Sequence, residues 1–119
     1  ANLLPGVHTG GRFESGDISI ELEETGGFRE GQAVKLVFRP EDVFLRHPEN
    51  LMQHYQRLAE GTVDEVSFVG AFERLSVSLN IGDGLPIVVT RPKTETAVFP
   101  LHGGERVTAG VVRFRVLAN

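Results

Sequence analysis

Short runs of alternating polarity, broken by glycine and proline, run through most of the 119-residue chain, and this pattern predicts a small antiparallel barrel or sandwich. Ile18-Ser19-Ile20-Glu21-Leu22 alternates apolar and polar residues, so it forms a strand with one packed face and one wet face. After the turn signal Thr25-Gly26-Gly27, Val34, Leu36 and Phe38 share one face of a second strand, with Lys35 and Arg39 on the other. Pro40 ends that strand because it has no N–H to give a ladder. Between Gly61 and Gly70, Val63 and Val69 fall on one side by parity and Val66 and Phe68 on the other, which predicts a bulge or bend between them. Leu75, Val77 and Leu79 line one face of a strand that turns at Gly82-Asp83-Gly84 and returns as Ile87-Val88-Val89, a hairpin. A final strand, after a turn at His102-Gly103-Gly104, puts Val112, Phe114 and Val116 inward and Arg113 and Arg115 outward. The fold class read from this pattern is all-β, an antiparallel barrel of about seven short strands.

One segment breaks the alternation. From Pro48 to Glu60, Leu51, Met52, Tyr55, Leu58 and Ala59 recur at helical spacing, with Pro48 suited to a helix start and Gly61 to its stop, so one short amphipathic helix is expected there. Its apolar stripe faces the barrel or docks a partner.

Length and composition fit one domain, residues 1–119, with 40% hydrophobic and 24% charged residues, the balance of a packed globular fold. The chain has no cysteine, which excludes a disulfide framework, a thiolate zinc site and a cysteine nucleophile. A net charge of -4 argues against nucleic acid as a partner, since such binding rests on a basic groove. No stretch approaches the ~20 apolar residues of a membrane-spanning helix, and the opening Ala1-Asn2-Leu3-Leu4-Pro5-Gly6 lacks a signal-peptide pattern.

Catalytic chemistry finds no support. There is no G-x-x-x-x-G-K-[ST] loop to cradle a nucleotide's phosphates, and Gly10-Gly11, Gly26-Gly27 and Gly103-Gly104 read as hairpin turns. The four histidines, His8, His47, His54 and His102, lack the i, i+4 spacing of a helical zinc pair and read as surface or turn residues. The acidic run Glu21, Glu23 and Glu24 reads as a solvated strand end, and no G-x-S-x-G elbow is present. No catalytic residue, metal ligand or cofactor of the chain's own is expected; it reads as a binding or interaction module. Thr90-Arg91-Pro92-Lys93-Thr94 offers two cations and two hydroxyls, either a solvated basic loop or a site for an oxyanion such as sulfate or molybdate through Thr90, Arg91 and Lys93.

Val37-Phe38-Arg39-Pro40-Glu41-Asp42-Val43-Phe44-Leu45 resembles the "φ-R-P-E-D-φ" signature of the TOBE domain, the OB-type module at the C-terminus of ABC-importer ATPases. The opening Ala1 to Gly6 is similar to the family's junction with the ATPase domain, Gly61-Thr62-Val63 with Phe68-Val69-Gly70 to its second block, and Leu101 to Val107 to its closing "L-x-x-G-x-x-V" block. The segment from His47 to Glu60 departs from the pattern by its length. Arg39, Pro40, Glu41, Asp42, Gly61, Gly70 and Gly104 carry the resemblance; the motif fixes a strand-to-turn geometry or contacts a partner. The resemblance implies an OB-type regulatory and dimerisation domain from the C-terminus of a longer ATP-binding subunit, not itself an enzyme, with ATP and magnesium belonging to the parent subunit. It also implies a homodimer formed through that ATPase, membrane permease subunits as partners, a small-molecule effector, and a peripheral place on the cytoplasmic face of the inner membrane. Coupling would arise because an effector favouring one arrangement of paired regulatory domains biases the ATPase pair.

Overall fold

In the computed structural model, which describes residues 1–23, 27–50 and 53–119, ten strands carry the chain: β1 Asn2–Thr9, β2 Arg12–Ser15, β3 Ile18–Glu21, β4 Ala33–Phe38, β5 Val43–Arg46, β6 Gln56–Val69, β7 Phe72–Leu79, β8 Leu85–Pro92, β9 Arg106–Val111 and β10 Arg115–Ala118. A 3-10 turn at Pro40–Asp42 and one short helix, α1 Lys93–Val98, complete the described elements. The strands form two five-stranded sheets, ordered β10-β4-β1-β2-β3 and β5-β9-β6-β7-β8, antiparallel throughout. The all-β class expected from the alternating pattern therefore holds.

The parity of the sequence sets which faces pack. Val34, Leu36 and Phe38 of β4 and Leu75, Val77 and Leu79 of β7 are buried, and they join one hydrophobic cluster that also takes Phe13, Ile20, Val63, Val89 and Val107. In β9, which runs between β5 and β6, five consecutive residues from Val107 to Val111 are buried. The bulge expected in the Gly61–Gly70 run lies between Val63 and Glu65, opposite Val77 and Ser76. Gly61 is needed for close approach: a Cβ there would lie 2.6 Å from the Ser78 carbonyl oxygen.

Two crossovers join the sheets. Pro40 sits at the start of the 3-10 turn that carries the chain from β4 to β5, and residues 112–114 carry it back from β9 to β10. The Val112 N–H donates to the Asp42 carbonyl at 3.1 Å, holding the two crossovers side by side. Asn2 makes a third tie: its Nδ2 donates to the Val88 carbonyl at 2.9 Å and its Oδ1 accepts from the Val88 N–H at 2.8 Å. One amide side chain thus pairs with a strand edge of the other sheet as a neighbouring strand would.

Three expectations need correction. The helix predicted over Pro48 to Glu60 is not formed in its described part, because Gln56 to Glu60 belong to β6; Leu51 and Met52 lie outside the described residues. A register shift between Arg57 and Ala59 turns the neighbours Leu58 and Ala59 both inward, which imitates helical spacing in a strand. The helix is instead Lys93–Val98, in the segment read as a loop. The single final strand is broken at residues 112–114 where the chain changes sheets, so Val112 is exposed and Phe114 and Val116 are half-buried.

Candidate functional site

A cavity of about 510 Å³ opens where the end of β5, the end of β8 and α1 meet. Its walls include Arg46 at the end of β5, His47 just after it, Asn50, Arg91 at the end of β8, and Thr94 and Glu95 of α1. Leu45, Val98 and Phe99 supply the apolar part. This is the usual make-up of a ligand pocket, apolar walls with a few convergent polar groups.

The two arginines differ in what they have left to give. Arg91 is buried, and its Nε donates to the Glu73 carboxylate at 2.5 Å while its Nη2 donates to the Phe99 carbonyl at 2.7 Å. Glu73 is buried as well, so the pair neutralises itself inside the protein and fixes the chain leaving α1. Arg46 makes no ion pair among the described residues. Its Nη1 donates to the Leu45 carbonyl at 2.9 Å, and its guanidinium lies 5.1 Å from the ring centre of Tyr55 and 5.8 Å from that of Phe44. Those two rings are stacked, 4.4 Å apart and 19° from parallel. A planar guanidinium held against aromatic rings is pre-organised, so little freedom is lost when it engages a ligand.

His47 adds a second donor. Its Nδ1 accepts from the Glu49 N–H at 3.4 Å, which in the neutral ring leaves Nε2 as the N–H. The Asn50 side chain and the Thr94 hydroxyl are exposed at the same mouth. Glu95 is the opposing charge, so among the described residues an anion bound here meets one free cation, several neutral donors and one carboxylate.

The structure divides the Thr90 to Thr94 loop. Arg91 and Thr94 reach the cavity, whereas Thr90 stands in β8 opposite Arg74 and the Lys93 ammonium lies 5.3 Å over the ring of Phe68. Arg46, His47 and Asn50 were not singled out for anion binding, because nothing in their spacing links them to Arg91; only the folded β5–β9–β6–β7–β8 sheet brings them together. Of the residues that carry the family resemblance, Arg39 precedes the 3-10 turn formed by Pro40, Glu41 and Asp42, Gly61 lies in β6, and Gly70 and Gly104 lie in turns with φ of 60° and 91°. None of these lines the cavity.

The histidine expectation also needs a correction. His8 is buried in β1, with its Nδ1 against the Arg29 carbonyl at 3.1 Å and its ring 5.8 Å from that of Phe28, because the Arg29–Gln32 loop folds over it. No group of three or more His, Asp or Glu residues among the described ones is arranged to hold a metal ion. No described helix is long and apolar enough to cross a membrane.

No family model and no curated protein matches the chain. Among solved structures, the cytoplasmic molybdate-binding protein ModG, crystallised with molybdate bound, superposes with a TM-score of 0.72 at 18% identity, over 99% of this chain and 96% of that chain. At that identity the likeness is one of fold, and it places the two sheets in the OB-type class over their whole length.

Proposed function

We propose that this chain is an OB-type domain that binds a small tetrahedral oxyanion, sulfate or molybdate, in the cavity between β5, β8 and α1. The observation that carries this reading is Arg46, a guanidinium held near the Tyr55 and Phe44 rings with no carboxylate partner among the described residues, facing a cavity shared with His47, Asn50 and Thr94. Charge-assisted hydrogen bonds from such groups are the strong ones for an oxyanion, and the guanidinium fork matches two of its oxygens. Arg91 holds the wall in place through Glu73 and Phe99 rather than supplying the free charge. The whole-length likeness to a protein crystallised with molybdate supports the same ligand class.

The chain itself acts by binding, without catalysis or a cofactor of its own. A ligand that binds only the folded state stabilises it by an amount set by concentration over Kd, about 2.7 kcal/mol at a hundred-fold excess. Thermal denaturation in sulfate, molybdate and chloride at matched ionic strength therefore tests the reading. A rise in melting temperature with an oxyanion, absent in chloride and lost in Arg46→Ala, is expected; equal curves in all three salts refute it.

A second reading places this activity in the regulatory domain of an importer ATPase, paired with a twin at the membrane's cytoplasmic face. It is favoured by the Arg39-Pro40-Glu41-Asp42 turn, whose Arg39 and Glu41 side chains are exposed and do not pair with each other. Light scattering across a concentration series, with and without oxyanion, tests it: ligand-dependent dimers support it, and a monomer indifferent to ligand speaks against pairing by this domain.

A further inference from the structure

The Arg39-Pro40-Glu41-Asp42 turn plays no part in the oxyanion cavity, yet it gathers charge in an unusual way. Arg115 faces Val37 in the β10–β4 ladder. Arg113 lies in the 112–114 crossover, where the Val112 N–H donates to the Asp42 carbonyl, and it lines one cavity together with Arg39 and Arg115. None of these three arginines makes an ion pair among the described residues, although Glu41 and Asp42 stand beside them.

All five charged side chains open on one cavity of about 540 Å³, whose apolar walls are Val37, Phe38 and the half-buried Phe114. Three guanidinium groups, without an ion pair among the described residues and outnumbering the two carboxylates, suit a multiply charged oxyanion, which they can bind through paired N–H donors. Ionised carboxylates have only acceptors, so Glu41 and Asp42 suit hydroxyl donors and repel a second anionic group. An aromatic and aliphatic wall suits a carbon skeleton.

We propose that this crossover cavity is a second binding site, specific for an organic phosphate ester with free hydroxyls: the phosphate on Arg39, Arg113 and Arg115, the hydroxyls on Glu41 and Asp42, and the carbon frame against Phe114 and Val37. The site is separate from the Arg46 cavity and stands without it.

The test is calorimetric titration of the Arg46→Ala chain, in which the oxyanion cavity lacks its free cation, with AMP and with glucose 6-phosphate, using inorganic phosphate and glucose as reference ligands. At least one ester is expected to bind more tightly than either reference. Which ester does so tells whether the frame is a nucleoside or a simple sugar. In an Arg113→Ala/Arg115→Ala double variant the ester's Kd rises about tenfold or more, since each charge-assisted hydrogen bond is worth at least that factor. Arg39→Gln gives an independent reading should the double variant fold poorly. Esters that bind no better than inorganic phosphate, or ester binding that survives these substitutions, overturn the proposal.

Discussion

Asn2 offers the sharpest test of how the two sheets are joined. Its side chain is 7% exposed, and its amide pairs with both backbone groups of Val88, donating at 2.9 Å and accepting at 2.8 Å. Val88 lies in β8, an edge strand of its sheet, so no neighbouring strand of that sheet can take those groups if the amide is removed. Asn2→Ala leaves one N–H and one C=O partly buried and unpaired, at about 1–2 kcal/mol each, for a loss of about 2–4 kcal/mol. Unfolding entropy near 2.1 cal/mol/K per residue over 119 residues converts each kcal/mol into about 4 °C, so the melting temperature should fall by about 8–16 °C. Asn2→Asp keeps an acceptor for the Val88 N–H but turns a carboxylate oxygen toward the Val88 carbonyl. Its loss at neutral pH should be no smaller, and it should shrink as pH falls through the raised folded-state pKa of the carboxyl, which then has a proton to donate, the change being complete near the unfolded value of about 3.9. Circular dichroism melts of the three proteins between pH 3.5 and 7 measure this. Melting of Asn2→Ala within about 2 °C of wild type would refute the bridging role, since that is the scale of an ordinary surface substitution.

Other perturbations probe other joints. Glu73→Gln removes the charge that neutralises buried Arg91, and should cost about 3–5 kcal/mol in chemical denaturation; a loss under about 1 kcal/mol, the range of exposed pairs, would contradict the burial. Gly61→Ala drives a Cβ to 2.6 Å from the Ser78 oxygen, and should cost about 1–3 kcal/mol by overpacking. A neutral effect there would mean that β6 and β7 separate easily. Glu30 accepts from the Thr9 hydroxyl at 2.5 Å and the Gly10 N–H at 2.8 Å, and these bonds, foremost that from Thr9, hold its carboxyl below the usual carboxylate range. A lowered pKa in the folded state contributes stability above the unfolded value, about 4.3, that is lost as pH falls through the folded one. Glu30→Gln should therefore flatten the acid limb of a melting-temperature profile and leave its shape above pH 6 unchanged; an unaltered acid limb would contradict the assignment.

The fold was legible where one face of a strand is wet and the other dry. Ile18 to Glu21, Val34 to Phe38 and Leu75 to Leu79 alternate because water and core alternate along them. Legibility failed where a strand departs from regular pairing. The shift at Arg57/Ala59 buries two neighbours, Leu58 and Ala59, and so mimics a helix. The break at 112–114 is marked by no glycine or proline, because it is set by where the other sheet lies. Lys93–Val98 is too short to show a helical period, and it caps a strand end instead of burying a stripe. The candidate site was half visible. Arg91 stood out as a cation among hydroxyls, but its charge is spent on Glu73, eighteen residues away in sequence across the β7–β8 pairing. Arg46 became notable only once β5 and Tyr55 were brought together, a contact that no local spacing announces.

The proposed function stands or falls on whether Arg46 and its neighbours bind a tetrahedral oxyanion. Calorimetric titration of wild type and Arg46→Ala with molybdate and with sulfate, in a chloride buffer, measures it most directly. One-to-one saturable binding of at least one oxyanion to the wild type is expected, with a Kd about tenfold or more weaker in the variant, the worth of a charge-assisted hydrogen bond. Absence of saturable heat from both anions, or equal affinity in the two proteins, would contradict it.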